Sequence, residues 1–106
     1  MITDVNVAAG PVVLKVLAEP LRWRIVELLA VEELCVCHLV EDLEVAQPLV
    51  SHHLRVLRDA RLVETSRHRY WTYYRLRPEA LVPLSHLITR LAEATPPPGE
   101  RRRPCC

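Results

Sequence analysis

The stretch Gln47-Pro48-Leu49-Val50-Ser51-His52-His53-Leu54-Arg55-Val56-Leu57-Arg58 decides how this chain folds. Pro48 suits the first turn of a helix, where its missing N–H leaves no hydrogen bond unmade. From there Val50, Leu54 and Leu57 recur at helical spacing and point inward. Ser51, His52, Arg55 and Arg58 are left on the outer face. The spacing predicts a helix over 47–60. Its exposed N-terminal positions, Gln47, Ser51, His52 and Arg55, carry side chains able to hydrogen-bond base edges or phosphates in a DNA major groove. His53, next to the inward Leu54, reads as a packed or capping histidine.

Upstream, Glu44-Val45-Ala46 breaks the pattern, and Val36, Leu39, Val40 and Leu43 mark a preceding helix with Glu41 and Asp42 on its wet side. Before it, Pro20 opens a helix in which Leu21, Ile25, Leu28 and Leu29 form one stripe. Val12 to Leu17 is a short apolar stretch suited to a first helix. Downstream the period changes. Leu62 to Ser66 and Trp71 to Arg77 are β-branched and aromatic enough for strands, joined by Arg67-His68-Arg69-Tyr70. Arg67, His68 and Arg69 at this basic tip are placed to grip a phosphate backbone or enter a minor groove. A last helix over 79–94 carries Leu81, Leu84, Leu87, Ile88 and Leu91 on one side.

The expected fold is mainly α with a small β-hairpin: a winged helix-turn-helix of five helices plus a two-stranded wing, spanning residues 1–94. Residues 95–106 read as a flexible tail, because Pro96-Pro97-Pro98 and Arg101-Arg102-Arg103 build no core. The first and last helices keep apolar faces to cover. A chain this short commonly covers them with a second copy, and a two-fold homodimer also matches two DNA half-sites about one helical turn apart.

Charge is distributed to suit that reading. The net value is only +1, but residues 1–46 carry eight acidic against three basic side chains. Residues 47–77 carry seven arginines against Asp59 and Glu64. A basic middle on an acidic chain is the footprint of a face that meets phosphate. No stretch approaches the roughly 18 apolar residues a membrane-spanning helix needs. The N-terminus shows no secretory pattern, so the expected setting is the cytoplasm, away from membranes.

Four cysteines occur as two close pairs, Cys35/Cys37 and Cys105/Cys106. In a reducing compartment such thiols point to metal or redox chemistry rather than structural disulfides. Three strings, Leu17-Ala18-Glu19-Pro20-Leu21-Arg22, Glu33-Leu34-Cys35-Val36-Cys37-His38-Leu39 and the helix string at 47–58, together resemble the ArsR/SmtB family of metal-sensing regulators. The similarity runs from about Val12 to Leu91. It implies a transcriptional regulator, not an enzyme, whose partners are operator double-stranded DNA and a second copy of itself. It also implies repression relieved by an ion.

The Cys35-Val36-Cys37 pair resembles the thiolate motif of the arsenic- and cadmium-sensing branch, so As(III) or Cd(II) is the first expectation for one ion per subunit. Thiolates suit soft ions, and two sulfurs leave room for a third donor. In arsenic sensors of this type a third cysteine follows three residues on, where this chain has Val40. His38, Cys105 or Cys106 are the candidates to fill the gap. Residues two apart do not face one another in a regular helix, so joint binding by Cys35 and Cys37 is expected to distort that helix's first turn. The branch that binds zinc, nickel or cobalt on the last helix has ligand positions falling near Pro78, Ala80, Leu91 and Ala94, and none of these binds metal through a side chain. A mixed Cys/His site for Ni(II) or Zn(II), with activation rather than repression, is the alternative, since five histidines are present (His38, His52, His53, His68 and His86). A thiol redox or persulfide switch and control through an accessory protein also remain open. A thiol enzyme is disfavoured, because Cys-Val-Cys lacks the usual redox spacing and no partnered base is evident. Three departures from the family pattern stand out. Arg61 replaces a glycine after the helix, Ala46 replaces a serine cap, and the wing lacks a glycine.

Overall fold

A computed structural model describes the backbone of residues 2–105 and the burial of residues 10–105. Its elements are α1 (Ile2–Leu17), α2 (Pro20–Leu29), α3 (Val36–Leu43), α4 (Gln47–Asp59), β1 (Val63–His68), β2 (Trp71–Leu76), a 3₁₀ turn (Pro78–Ala80) and α5 (Val82–Ala94). This is the five-helix winged arrangement. The two strands pair antiparallel with Val63 opposite Leu76 and His68 opposite Trp71, which leaves Arg69-Tyr70 as a two-residue turn. Arg67 and His68 thus end β1 rather than forming the loop.

Local chemistry explains the boundaries. Glu19 caps α2 by accepting the Arg22 backbone N–H at 2.8 Å, and Pro20 occupies its first position. The helix start at α4 has no side-chain cap, because Ala46 stands there. At its end, Leu62 N–H bonds Leu57 C=O and Arg61 N–H bonds Arg58 C=O, a Schellman closure that puts Arg61 at φ 62°. Glu44 ends α3 in the same left-handed region, at φ 55°. α1 is longer than its apolar stretch suggests. The helix runs through Gly10 and Pro11, and Gly10 lies so close to α5 that an added Cβ would meet Leu87 Cδ1 at 2.9 Å.

The core fills the space between α2, α3, α4 and the hairpin. Ile25, Leu39, Val50, Leu54, Leu57 and Leu62 are fully buried in it. Leu17 and Leu84 bring α1 and α5 onto its edge. Burial of side chains of this size contributes roughly 1.5–3 kcal/mol each, which fixes α4 relative to its neighbours. The outer faces of α1 and α5 stay uncovered: Val12, Leu14, Ile88 and Leu91 are exposed. No helix among the described residues is long and apolar enough to cross a membrane.

Candidate thiolate site and nucleic-acid interface

The segment before α3 is extended, and Leu34 exchanges two backbone hydrogen bonds with Tyr74 of β2, at 3.1 and 2.7 Å. This isolated bridge fastens Leu34 to the hairpin. Cys35 follows directly as the N-cap of α3, at φ −95° and ψ 170°. Because Cys35 is extended rather than helical, its Sγ reaches Cys37 Sγ at 2.9 Å. The two thiols meet with α3 intact from Val36, the position at which the spacing starts it, because Cys35 caps the helix rather than lying in its first turn.

His38 completes the cluster. Its Nδ1 lies 3.2 Å from Cys35 Sγ and accepts the Cys35 backbone N–H at 3.2 Å. The donor atoms of Cys35, Cys37 and His38 all lie within 4.8 Å of one another. Cys35 is buried, while Cys37 and His38 are exposed. Burial works to raise the Cys35 thiol, but hydrogen bonds from the Cys37 thiol and from the His38 and Cys37 backbone overcome it, so its pKa falls below the ordinary cysteine value. Cys37 is raised, first because it donates to Cys35 and then by desolvation. The two thiols share one hydrogen bond, so the pair gives up its first proton more readily than an isolated cysteine and offers the thiolate form that binds soft ions. Two sulfurs and an imidazole suit a thiophilic or borderline ion.

The third-cysteine position, Val40, packs half-buried against the core. Cys105 is exposed and is not among the residues of this cluster, and Cys106 falls outside the described residues. Beside the thiols a cleft of about 470 Å³ is lined by Glu32, Glu33, Leu34, His38, Glu41, Asp42 and Tyr73. Four of its lining residues carry carboxylates, and His38 shares the cleft with them.

The predicted DNA-contacting side chains lie on α4 and the wing. Gln47, His52 and Arg55 are exposed on α4, and Ser51 is half-buried. Ser51, Arg55 and Arg58 line a polar cleft of about 370 Å³ with Tyr74 of β2 at its wall. Arg67, His68 and Arg69 are exposed at the hairpin tip, where Arg69 takes the left-handed position at φ 58° that a glycine would fill. Arg75 pairs with Glu64 and Arg77 with Glu79. Among the described residues Arg55, Arg58, Arg67 and Arg69 form no ion pair.

His53 is buried, as its place beside Leu54 predicts. Its Nδ1 lies 3.1 Å from Arg22 Nη1, and Arg22 Nε also donates to Val16 C=O at 2.7 Å. Sequence reasoning missed this tie between the α1–α2 junction and α4. It also missed Tyr73, whose ring stands between His38 and His68 at centroid distances of 6.3 and 5.4 Å.

A helix-turn-helix with a basic outer face, a hairpin wing beside it and a thiol-imidazole cluster at the head of the first helix of the pair define a winged helix-turn-helix regulator. The motif of the bacterial regulatory protein arsR family matches residues 19–65. A solved structure described as a possible transcriptional regulator for arsenical resistance shares 36% identity at a TM-score of 0.66, covering 78% of this chain and 96% of its own. The chain belongs to the arsR family. An arsenic resistance transcriptional regulator of Pseudomonas putida is 49% identical over 75 residues, covering 70% of this chain and 59% of that protein. The chain therefore spans about three-fifths of the length of that relative. A homodimeric winged helix-turn-helix domain of Mycobacterium bovis, described as a possible ArsR-family transcriptional regulator, is 30% identical at a TM-score of 0.63, covering 83% of this chain and 79% of its own.

Proposed function

We propose that this protein is a homodimeric transcriptional repressor that binds operator DNA through α4 and the wing and releases it when a thiophilic ion occupies Cys35, Cys37 and His38. The observation that carries the reading is the cluster itself: three soft or borderline donors within 4.8 Å, at the head of a helix that packs against the DNA-reading helix. Gln47, Ser51, His52 and Arg55 read the major groove, and Arg67, His68 and Arg69 hold the backbone beside it. The second subunit covers the apolar faces of α1 and α5, where Leu14, Trp23, Val26 and Ile88 line a groove of about 610 Å³. Residues 95–106 act as a tail outside the folded domain, with Cys105 and Cys106 as reserve thiols.

As(III) and Cd(II) are the ions that two thiolates favour. The relatives' names support arsenic. The imidazole third donor and the acidic cleft support a divalent cation, because carboxylates attract Cd(II) but not arsenous acid, which is uncharged near neutral pH. Zn(II) or Ni(II) on the same mixed site is the second reading, favoured by His38 alone.

The test is fluorescence anisotropy of the reduced protein on a duplex from upstream of its own coding sequence, with arsenite, cadmium, zinc and nickel. Loss of binding with arsenite or cadmium that disappears in Cys35→Ser supports the proposal. A response to zinc or nickel alone moves the function to the second reading. Specific binding indifferent to every ion contradicts it.

A further inference from the structure

We propose that the wing is the element through which ion binding is read out, with Tyr73 as the positioning residue between the thiolate site and His68. The inference rests on the reading above that Cys35, Cys37 and His38 hold the ion, and it adds the route by which that site reaches DNA.

Three contacts tie residues 33–38 to the hairpin. Ser66 Oγ of β1 donates to Glu33 Oε1 at 3.3 Å. Leu34 and Tyr74 exchange their two backbone hydrogen bonds. The His38 ring faces Tyr73 at 6.3 Å with a 44° tilt. The segment that carries the ligands is thus tied to β2 by an isolated bridge at Leu34, and Cys35 is one residue from it.

The register extends the path. His68 is opposite Trp71, so Tyr73 is its diagonal neighbour on the same face, within reach of an aromatic side chain. The two rings meet edge to face at 5.4 Å and 85°. His68 sits between Arg67 and Arg69 at the tip. Tyr74, on the opposite face of β2, walls the cleft that holds Ser51 and Arg55. One strand therefore touches the ligand segment, the wing tip and the DNA face of α4.

His38 supplies the moving part. Its Nδ1 lone pair now accepts the Cys35 backbone N–H. To offer that lone pair to an ion, the ring must leave this bond and turn, and Tyr73 is the ring it turns against. To coordinate through Nε2 instead, the ring must carry its proton on Nδ1, which also ends the acceptor role. Either way the contact with Tyr73 changes, and with it the support for His68 and the Leu34–Tyr74 bridge.

The experiment compares wild type, Tyr73→Phe and Tyr73→Leu, using Cd(II) as the probe and the upstream duplex as the DNA. Each protein's Cd(II) affinity is measured by thiolate-to-metal absorbance, and its DNA affinity with and without Cd(II) by anisotropy. Couplings between sites are commonly about 5- to 150-fold. Tyr73→Phe keeps the ring and is expected to keep the wild-type ratio. Tyr73→Leu is expected to bind Cd(II) nearly as wild type does, while its metal-free DNA affinity already falls toward the Cd(II)-bound value, because the ring contact with His68 is gone, and the Cd(II)-induced loss shrinks several-fold. Amide NMR of the wild type supplies a second readout that needs no variant: Cd(II) should shift Ser66, His68, Tyr73 and Tyr74 as well as residues 35–43. A wild-type-like ratio in Tyr73→Leu, or Cd(II) shifts confined to α3 and α4 while DNA is still released, overturns the relay and leaves the repressor reading intact. A wild type that binds Cd(II) without losing DNA overturns both.

Discussion

At α4 one residue sits in a conformation its type disfavours, and its cost is measurable. The left-handed region costs a non-glycine residue roughly 1–2 kcal/mol, while glycine loses about 0.5–1 kcal/mol more backbone entropy on folding. Arg61 closes the Schellman turn with backbone groups only, and its C=O accepts from Arg77. Arg61→Gly should therefore raise stability by about 0.5–1 kcal/mol in urea unfolding, and a fall would contradict the account. His53 gives a pH prediction. Burial pushes it below the ordinary histidine value of 6.5, Glu19 opposes this, and Arg22 and His52 add to it. The folded protein thus holds fewer protons than the unfolded chain below that value. The stability linked to neutral His53 is complete above pH 6.5 and is lost as pH falls through the lower, folded pKa. His53→Asn keeps an acceptor for Arg22 without the titration, so its urea midpoint should fall less than wild type between about pH 7.5 and about pH 5.5. Equal falls in both proteins would remove His53 from the pH response.

Among the elements, the helices and the hairpin were legible because their signals are periodic and local. Leu54 and Leu57 declare the buried side of α4 without any tertiary knowledge. Pro20 and Pro48 mark helix starts. The N-terminal half of α1 was not legible, since the apolar stretch read as the first helix begins only at Val12, whereas the helix runs through Gly10 and Pro11. The thiolate pair was legible as a motif, but its geometry was not. Only the Leu34–Tyr74 bridge, a contact across 40 residues, shows that Cys35 is extended and free to meet Cys37. Tyr73 and Arg22 escaped notice for the same reason: their partners are distant in sequence. The acidic face of α3 bears on which ion is preferred. A Glu41→Gln, Asp42→Asn variant should bind Cd(II) several-fold more weakly and arsenite unchanged, as read by competition titration. Equal losses for both ions would mean that the carboxylates support the fold rather than attract the cation.

For the whole molecule, the account depends on a second subunit that covers α1 and α5 and presents a second α4 one helical turn along the DNA. Ile88 is half exposed and lines the groove between these helices. Ile88→Glu places a charge on that face, so sedimentation should show monomer and DNA affinity should collapse toward that of a single half-site. A dimeric Ile88→Glu protein would move the interface elsewhere. The central claim joins one ion site to one DNA interface in each subunit. Its most direct measurement follows ion uptake and DNA release in a single titration of the reduced dimer, reading thiolate-to-metal absorbance and DNA anisotropy together as Cd(II) is added. The account predicts that both signals break at one ion per subunit, and that Cys35→Ser loses both. DNA that stays bound after the thiolate site is full would contradict it.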